Sequence, residues 1–350
     1  MAEQTFRVLK LCFRSPLHLS KGKTDDYGQS DELLHADTLK SALYVCARQL
    51  LGGHAVGDTD AFFRRFRVTS AFPFVGQELF FPKPVVRIQK FAEAEVADER
   101  QAKKHKKLAF LGQSYFEDLI TDQKRTLRLA DLTADGRFIS DHADAKEQKP
   151  GSANLVNKVV FATDVQQRVT IPADYADDPL PYYVDRLYFD EGAGLWFAFE
   201  GDDATYADVL SALRLLGDNG VGTDRSVGNG QFDVDEQRLT LRLPDHPTHQ
   251  VLLSLWCPQR KELDDAFLQD SAYGLVKRGG YIASPDRPEH LTYRKKSVYM
   301  FTEGSVFPAD RALVGKVENL RPAAPDVTQN VWRDGLAFAL PITVQPVAQP

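Results

Sequence analysis

The chain has 350 residues, 43% of them apolar and 26% charged, with a formal net charge of −6. That composition excludes wholesale disorder, and the length allows two domains with sizeable cores. The acidic balance argues against a free-standing DNA binder, which is usually basic, but is compatible with one basic groove set among acidic faces.

Cys12, Cys46 and Cys257 are odd in number and far apart. Neither a disulfide framework nor zinc spacing is expected, and each reads as a small core residue. The N-terminus runs straight into an apolar segment without a leader pattern. No apolar run nears the roughly 20 residues of a membrane span, so the cytoplasm is the expected location.

Residues 6–13 are β-branched and aromatic and predict a first strand. Residues 15–23 form a polar, basic loop holding His18 and Lys21. A helix is predicted from Asp37, a good N-cap. Its stripe is Leu39, Ala42, Leu43, Cys46, Ala47 and Leu50, and Gly52-Gly53 stops it. A strand followed by a long helix opens a ferredoxin-like βαββαβ unit. Residues 72–84 are rich in Phe and Pro and predict irregular or edge structure. Lys103, Lys104, Lys106 and Lys107 make a charged run, either a solvated face or an RNA contact. A short helix or loop is expected over 110–120, and a mobile polar insertion over 133–154. Residues 187–189 and 195–199 flank Asp190-Glu191-Gly192-Ala193-Gly194, which predicts a hairpin with a five-residue loop. A second helix is predicted from Thr205, with Asp208 completing a partial capping box and a stripe of Tyr206, Val209, Leu210, Leu213 and Leu216. Strand character resumes at 232–234 and 239–243.

Residues 1–245 therefore order as β–α–β–β–α–β with an insertion at about 85–165, and Pro244-Asp245-His246-Pro247 reads as the boundary. Residues 246–350 predict a second unit of the same kind. It has strands near 251–256, 273–282, 294–301 and 338–342, a short helix over 261–268, and an unstructured tail from 345. Element order alone supports this duplication, because no internal sequence repeat is visible. The fold class is α+β.

Residues 217–230 carry five glycines, interleaved with Asp, Asn, Thr and Ser and a single arginine. Glycine reaches positive φ cheaply and lets other backbone come close. Successive exposed amides in such a loop suit phosphate, and Arg225 adds a planar fork. The loop follows a helix and precedes a strand, the reverse of a dinucleotide-binding turn. It lacks the ending of a triphosphate loop. Gly220, Gly222, Arg225, Ser226, Gly228 and Gly230 are therefore candidate contacts to an extended nucleic acid; a ligand-free connection is the plain alternative. Lys277, Arg278, Gly279, Gly280 and Tyr281 join cations, permissive backbone and a stacking ring, the makings of a single-strand clamp or of a solvated hairpin tip. Lys295 and Lys296 are placed to line the same groove. Over 277–296 six Lys and Arg residues face two acidic ones. His18 and Lys21 either meet the RNA or finish a loop. Asp31, His35 and Asp37 suggest acid/base or metal chemistry, but Asp37 is accounted for as a cap and no further partner has ligand spacing. His246 to His249 reads as an interdomain turn. No Ser/His/Asp or Cys/His signature stands out.

At these motifs the chain resembles the RAMP superfamily and, more narrowly, the family of fourth subunits of the Csm complex, the type III-A CRISPR effector. The resemblance rests on Ser15-Pro16-Leu17-His18-Leu19, on His35-Ala36-Asp37-Thr38-Leu39, on residues 220–232, and on Lys277-Arg278-Gly279-Gly280-Tyr281 with Arg294-Lys295-Lys296 and Glu303-Gly304-Ser305. It implies two ferredoxin-like (RRM-like) domains and a non-catalytic, RNA-binding role in a ribonucleoprotein complex of antiviral defence. It also implies binding of the guide RNA's 5′ repeat-derived handle and contact with the large polymerase/nuclease subunit and the adjacent backbone RAMP subunit, with target RNA nearby. No cofactor or metal is implied. Ala36 departs from the Ser common in relatives. On the same resemblance, a thumb-like element in the insertion would distort the guide–target duplex. The enzyme alternative is a guide-processing endoribonuclease using His18 or His35. The third reading is a protein-only adaptor.

Overall fold

The structure is a computed structural model that describes residues 1–21, 27–86, 107–123, 125, 127–128, 131–141, 160–170, 180–282 and 288–344. Its elements in chain order are β1 (Ala2–Phe13), α1 (Ala36–Leu51), α2 (Gly53–Val56), α3 (Thr59–Arg64), β2 (Arg67–Val68), β3 (Phe72–Val75), β4 (Glu78–Pro82), β5 (Phe110–Gly112), α4 (Gln113–Ile120) and β6 (Phe138–Ile139). There follow β7 (Phe161–Thr170), β8 (Leu180–Phe189), β9 (Ala193–Glu200), α5 (Asp203–Asn219), β10 (Phe232–Leu243), β11 (His249–Leu252), α6 (Asp265–Gln269), β12 (Leu275–Arg278), β13 (Val298–Phe301), β14 (Val306–Pro308), β15 (Glu318–Asn319), β16 (Trp332–Arg333) and β17 (Ala339–Ile342).

The main sheet runs β10-β1-β9-β3-β4-β5-β6, with β2 beside β9. The run of four from the β10 edge, β10, β1, β9 and β3, is antiparallel. α1 and α5 pack together. The apolar stripes seen in the sequence supply the contact: Leu39, Leu43, Cys46 and Ala47 of α1 and Val209, Leu213 and Leu216 of α5 are buried in one cluster with the sheet. The fold is thus mixed α+β, as the periodicities predict.

Several local expectations are corrected. His35 occupies the N-cap of α1, and Asp37 lies inside the first turn, buried. The carboxylate is drawn away from the cap by two guanidinium groups. The cap of α5 is Asp202, whose side chain accepts from the Thr205 amide at 2.7 Å. Asp208 instead receives a 2.8 Å bond from Arg65. The predicted hairpin is absent: β8 pairs with β7, while β9 runs between β1 and β3. One edge of β9 is taken by β1 and the other by β3 and β2, so none is left for β8. The Phe- and Pro-rich segment at 72–84 is a buried hairpin of β3 and β4 within the main sheet. Phe72, Phe74, Phe80 and Phe81 are all buried there, and the gain from covering those rings outweighs what proline takes from the ladder. Within the predicted insertion, β5 and β6 extend the main sheet, and α4 packs against it. Lys107 is exposed; Lys103, Lys104, Lys106, residues 142–159 and the tail from 345 fall outside the described residues.

Residues 249–342 build a three-stranded sheet, β14-β11-β17, and the pairs β12-β13 and β15-β16. Their α-helical content among the described residues is the five-residue α6, where a second βαββαβ unit calls for two long helices. This part shares the main core: Val251, Leu253, Phe338 and Leu340 cluster with the sheet residues, and the rings of Phe6 and Phe338 lie 5.8 Å apart.

Candidate nucleic-acid cleft

A cleft of about 750 Å3 opens where α1, the loop after α5 and the β12 turn converge. Its floor is the outer face of α1, with Thr38, Ser41, Ala42, Val45 and Gln49. One wall is the glycine loop from Asn219 to Ser226; the other holds Lys277 to Tyr281, Lys295 and Arg333. Such a volume is ordinary for a ligand pocket, ~300–1,000 Å3.

The glycine loop folds on itself before it faces the cleft. Val221 donates its amide to Gly230 O at 3.0 Å, and Gly230 donates to Pro16 O at 2.7 Å. Gly230 has φ +72°, and a Cβ there would lie 1.8 Å from Val221 O. This glycine is demanded by backbone crossing. The amides of Thr223, Val227, Gly228 and Asn229 are also bonded within the protein. The expectation that the whole run 217–230 presents its amides is therefore narrowed, within the cleft lining, to Gly220, Gly222, Arg225 and Ser226, whose amides have no acceptor among the described residues. Gly220 and Gly222 line the cleft, Gly228 is exposed away from it, and Gly230 is buried. The Arg225 side chain is exposed on the cleft and makes no hydrogen bond or ion pair with the described residues; a 3-10 turn, Arg225–Val227, carries it and Ser226.

The far wall is built differently. Arg278 grips Asp37 bidentately, Nε to Oδ2 and Nη2 to Oδ1, both at 3.0 Å, and Nη2 also donates to Thr38 Oγ1 at 2.8 Å. Arg333 donates to Asp37 Oδ2 and, at 2.6 Å, to the carbonyl of Gly279. One carboxylate of α1 thus pins the Gly279-Gly280 turn. Burial opposes the charge on Asp37, but Arg278 and Arg333 overcome it and hold its carboxyl far below the usual range. Beside it, His35 donates from Nδ1 to Glu303 Oε1 at 2.8 Å and from Nε2 to Asp31 Oδ2 at 3.2 Å. Burial lowers the imidazole's basicity, yet the charge of Glu303 and the two bonds raise it to about 10.

Of the residues singled out by sequence, Gly220, Gly222, Arg225, Ser226, Lys277, Arg278, Gly279, Gly280, Tyr281 and Lys295 come together in this cleft. Lys277 and Lys296 are exposed, with Lys296 just outside the lining. Lys21 is exposed near Asp31. His18 is not at the surface: it is 1% exposed, and its Nδ1 donates to Asp185 O at 2.6 Å. Its carbonyl takes the Thr223 amide at 3.1 Å, so it supports the glycine loop from beneath. The sequence reading missed Arg333. Its signal was a lone Arg-Asp pair among Val331, Trp332 and Leu336, an apolar setting that charged residues enter only when paired.

Residues 246–342 match the family described as the CRISPR Csm4 C-terminal domain. A relative from Mycobacterium tuberculosis (strain CDC 1551 / Oshkosh), named CRISPR system Cms protein Csm4, is 29% identical over 274 residues, 78% of this chain and 79% of that protein. One from Thermococcus onnurineus (strain NA1), of the same name, is 26% identical over 321 residues, 89% of this chain and 93% of that protein. Residues 246–342 thus carry a Csm4 C-terminal domain, and the chain is similar to Csm4 proteins over most of its length. Among solved structures, a Csm3-Csm4 subcomplex of the type III-A CRISPR-Cas interference complex aligns with TM-score 0.63 at 19% identity, covering 97% of this chain and 100% of that one. A Csm1-Csm4 cassette in complex with cA4 aligns with TM-score 0.59 at 20% identity, covering 98% and 100%. These likenesses show a shared fold. The part that matches the Csm4 domain supplies Lys277, Arg278, Tyr281, Lys295 and Arg333, the whole far wall of the cleft.

Proposed function

We propose that this chain is a non-catalytic RNA-binding subunit of a type III-A CRISPR effector. It holds the 5′ repeat-derived handle of the guide RNA in the cleft and links a large subunit to a backbone subunit. The observation that carries this reading is the cleft's charge: Arg225, Lys277, Arg278, Lys295 and Arg333 line it against Asp31 alone among the lining acids. A groove with cations on both walls and Tyr281 at its mouth suits a single strand, whose phosphates are neutralised and whose bases stack. The solved Csm1-Csm4 and Csm3-Csm4 assemblies of relatives support the two protein contacts. In the N-terminal part, the order β10-β1-β9-β3 with α1 and α5 supports a ferredoxin-like unit.

Two features favour a non-catalytic role over guide cleavage. His18 is buried on a carbonyl, and His35, held protonated between two carboxylates, makes a poor general base at neutral pH. The experiment is co-expression with neighbouring subunits and sequencing of the co-purified RNA. A constant 5′ end on guide-length RNA is expected; its absence overturns the handle role. Specific metal-independent cleavage of repeat RNA, lost in His35→Ala, would instead establish the endoribonuclease.

A further inference from the structure

Behind the cleft's far wall, Arg278, Arg333 and Lys295 gather about one carboxylate, Asp37. The adjoining set brings His35 with Asp31 and Glu303, so cations outnumber anions in the whole cluster. Hydrogen-bonding capacity is also left over. Arg333 is 7% exposed, and its Nε is buried without a partner. Nη1 of Arg278 and the ammonium of half-buried Lys295 have no acceptor among the described residues. A buried donor left unpaired is costly, and like charges so close repel one another. An anion seated among the three would relieve both.

We infer that this corner of the cleft is a phosphate site, in which Arg333, Arg278 and Lys295 together take the oxygens of one phosphate group. The site rests on the RNA-binding reading above and deepens it: it anchors one phosphate on a hydrogen-bonded wall, whereas Arg225 and Lys277 reach the strand with exposed side chains. Asp37 is the positioning residue. It fixes both guanidinium planes, so the anion meets preorganised donors. The phosphate is either an internal phosphodiester of the strand or a terminal monoester; the chemistry is shared.

The site also predicts a proton linkage. Burial, then Arg333 and, against the pull of Asp37, Arg278 push the Lys295 ammonium down to about 7. The groups facing it are Asp37 from α1, Arg278 from β12 and Arg333 from β16. Asp37 and the two arginines hold their charges throughout the neutral range. A bound phosphate raises the Lys295 pKa, so affinity is complete below pH 7 and declines as pH rises above it.

The test titrates the full-length protein with a fluorescent RNA oligomer carrying the repeat-derived handle, across pH 6.5–8.5 and across salt. Wild-type affinity is expected to fall several-fold over that pH range. Lys295→Met should weaken binding about tenfold at pH 6.5, abolish the pH dependence, and flatten the log–log salt slope by about 0.7, the loss of one single-strand contact. Arg225→Ala should weaken binding but keep the pH dependence. If Lys295→Met binds like wild type while Arg225→Ala is impaired, the phosphate site is wrong and the RNA cleft survives. If neither change matters, the RNA reading itself fails. Should Lys295→Met not fold, a flat wild-type pH profile overturns the site and a falling one supports it. Two oligomer arms identify the source. A 5′-phosphate that tightens wild type but not Lys295→Met marks a terminal monoester. A single methylphosphonate linkage that weakens wild type but not Lys295→Met marks an internal phosphodiester.

Discussion

On the glycine-loop side of the cleft, Arg225 is exposed and bonded to nothing among the described residues; on the opposite side, Arg278 and Arg333 share Asp37 and are largely withdrawn from water. The loop gets its shape from backbone crossings and leaves its cation free. The far wall gets its shape from the cations themselves. Arginine on one side is an exposed cation with little structural duty, and on the other a structural brace. Changes to the two walls should therefore separate stability from binding.

The largest effect should come from removing the brace. Asp37→Asn leaves two buried guanidinium groups without a counter-charge, which costs about 3–5 kcal/mol. Urea unfolding of the full chain measures it. A loss under about 1 kcal/mol would mean that water already reaches these groups, and the contrast between the walls would collapse. The pH dependence has a definite sign. Because the folded carboxyl is held below its unfolded value, its contribution is intact above about pH 4 and is lost only in stronger acid. His35 acts in the other direction. Its folded value of about 10 lies above the unfolded 6.5, so its contribution is whole below pH 6.5 and fades as pH rises through 10. Melting curves should show a falling Tm across that alkaline window.

The next effects sharpen the loop side. Gly230 and Gly228 both sit at positive φ, +72° and +85°. A Cβ at Gly230 would meet Val221 O at 1.8 Å, whereas at Gly228 nothing lies within 4 Å. Gly230→Ala should cost about 2–5 kcal/mol, adding overpacking to left-handed strain. Gly228→Ala pays the strain alone, about 1–2 kcal/mol. Equal losses in thermal unfolding would show that the crossing at Gly230 relaxes, and that the loop is not shaped by its backbone.

The same contrast explains what could be seen in the sequence. Helical periodicity located α1 and α5, because stripes such as Leu39, Leu43, Cys46 and Ala47 report local geometry directly. The glycine loop and its arginine were visible for a similar reason: five glycines in fourteen residues are a local signal. What stayed hidden depends on partners far along the chain. Asp37 looks like a cap until Arg333, 296 positions away, is found on its carboxylate. His18 looks like a loop histidine until Asp185 covers its ring. The β8–β9 pair looks like a hairpin until β1 and β3 claim both sides of β9. Long-range competition for hydrogen bonds and for counter-charge leaves no mark on neighbouring residues.

The smallest effect on stability should accompany one of the clearest effects on binding. Arg225 is exposed and has no partner among the described residues, so Arg225→Ala should change unfolding free energy by less than about 0.5 kcal/mol. If it grips an RNA phosphate, the same change should weaken handle binding by about 1–3 kcal/mol and flatten the salt slope by about 0.7. Anisotropy titrations at several salt concentrations, alongside urea unfolding, give both numbers from one preparation. Loss of stability without loss of affinity would reverse the assignment and make Arg225 a second brace. Loss of affinity at constant slope would mean that it stacks on a base and leaves phosphate to the other wall, because only a neutralised phosphate releases counterions.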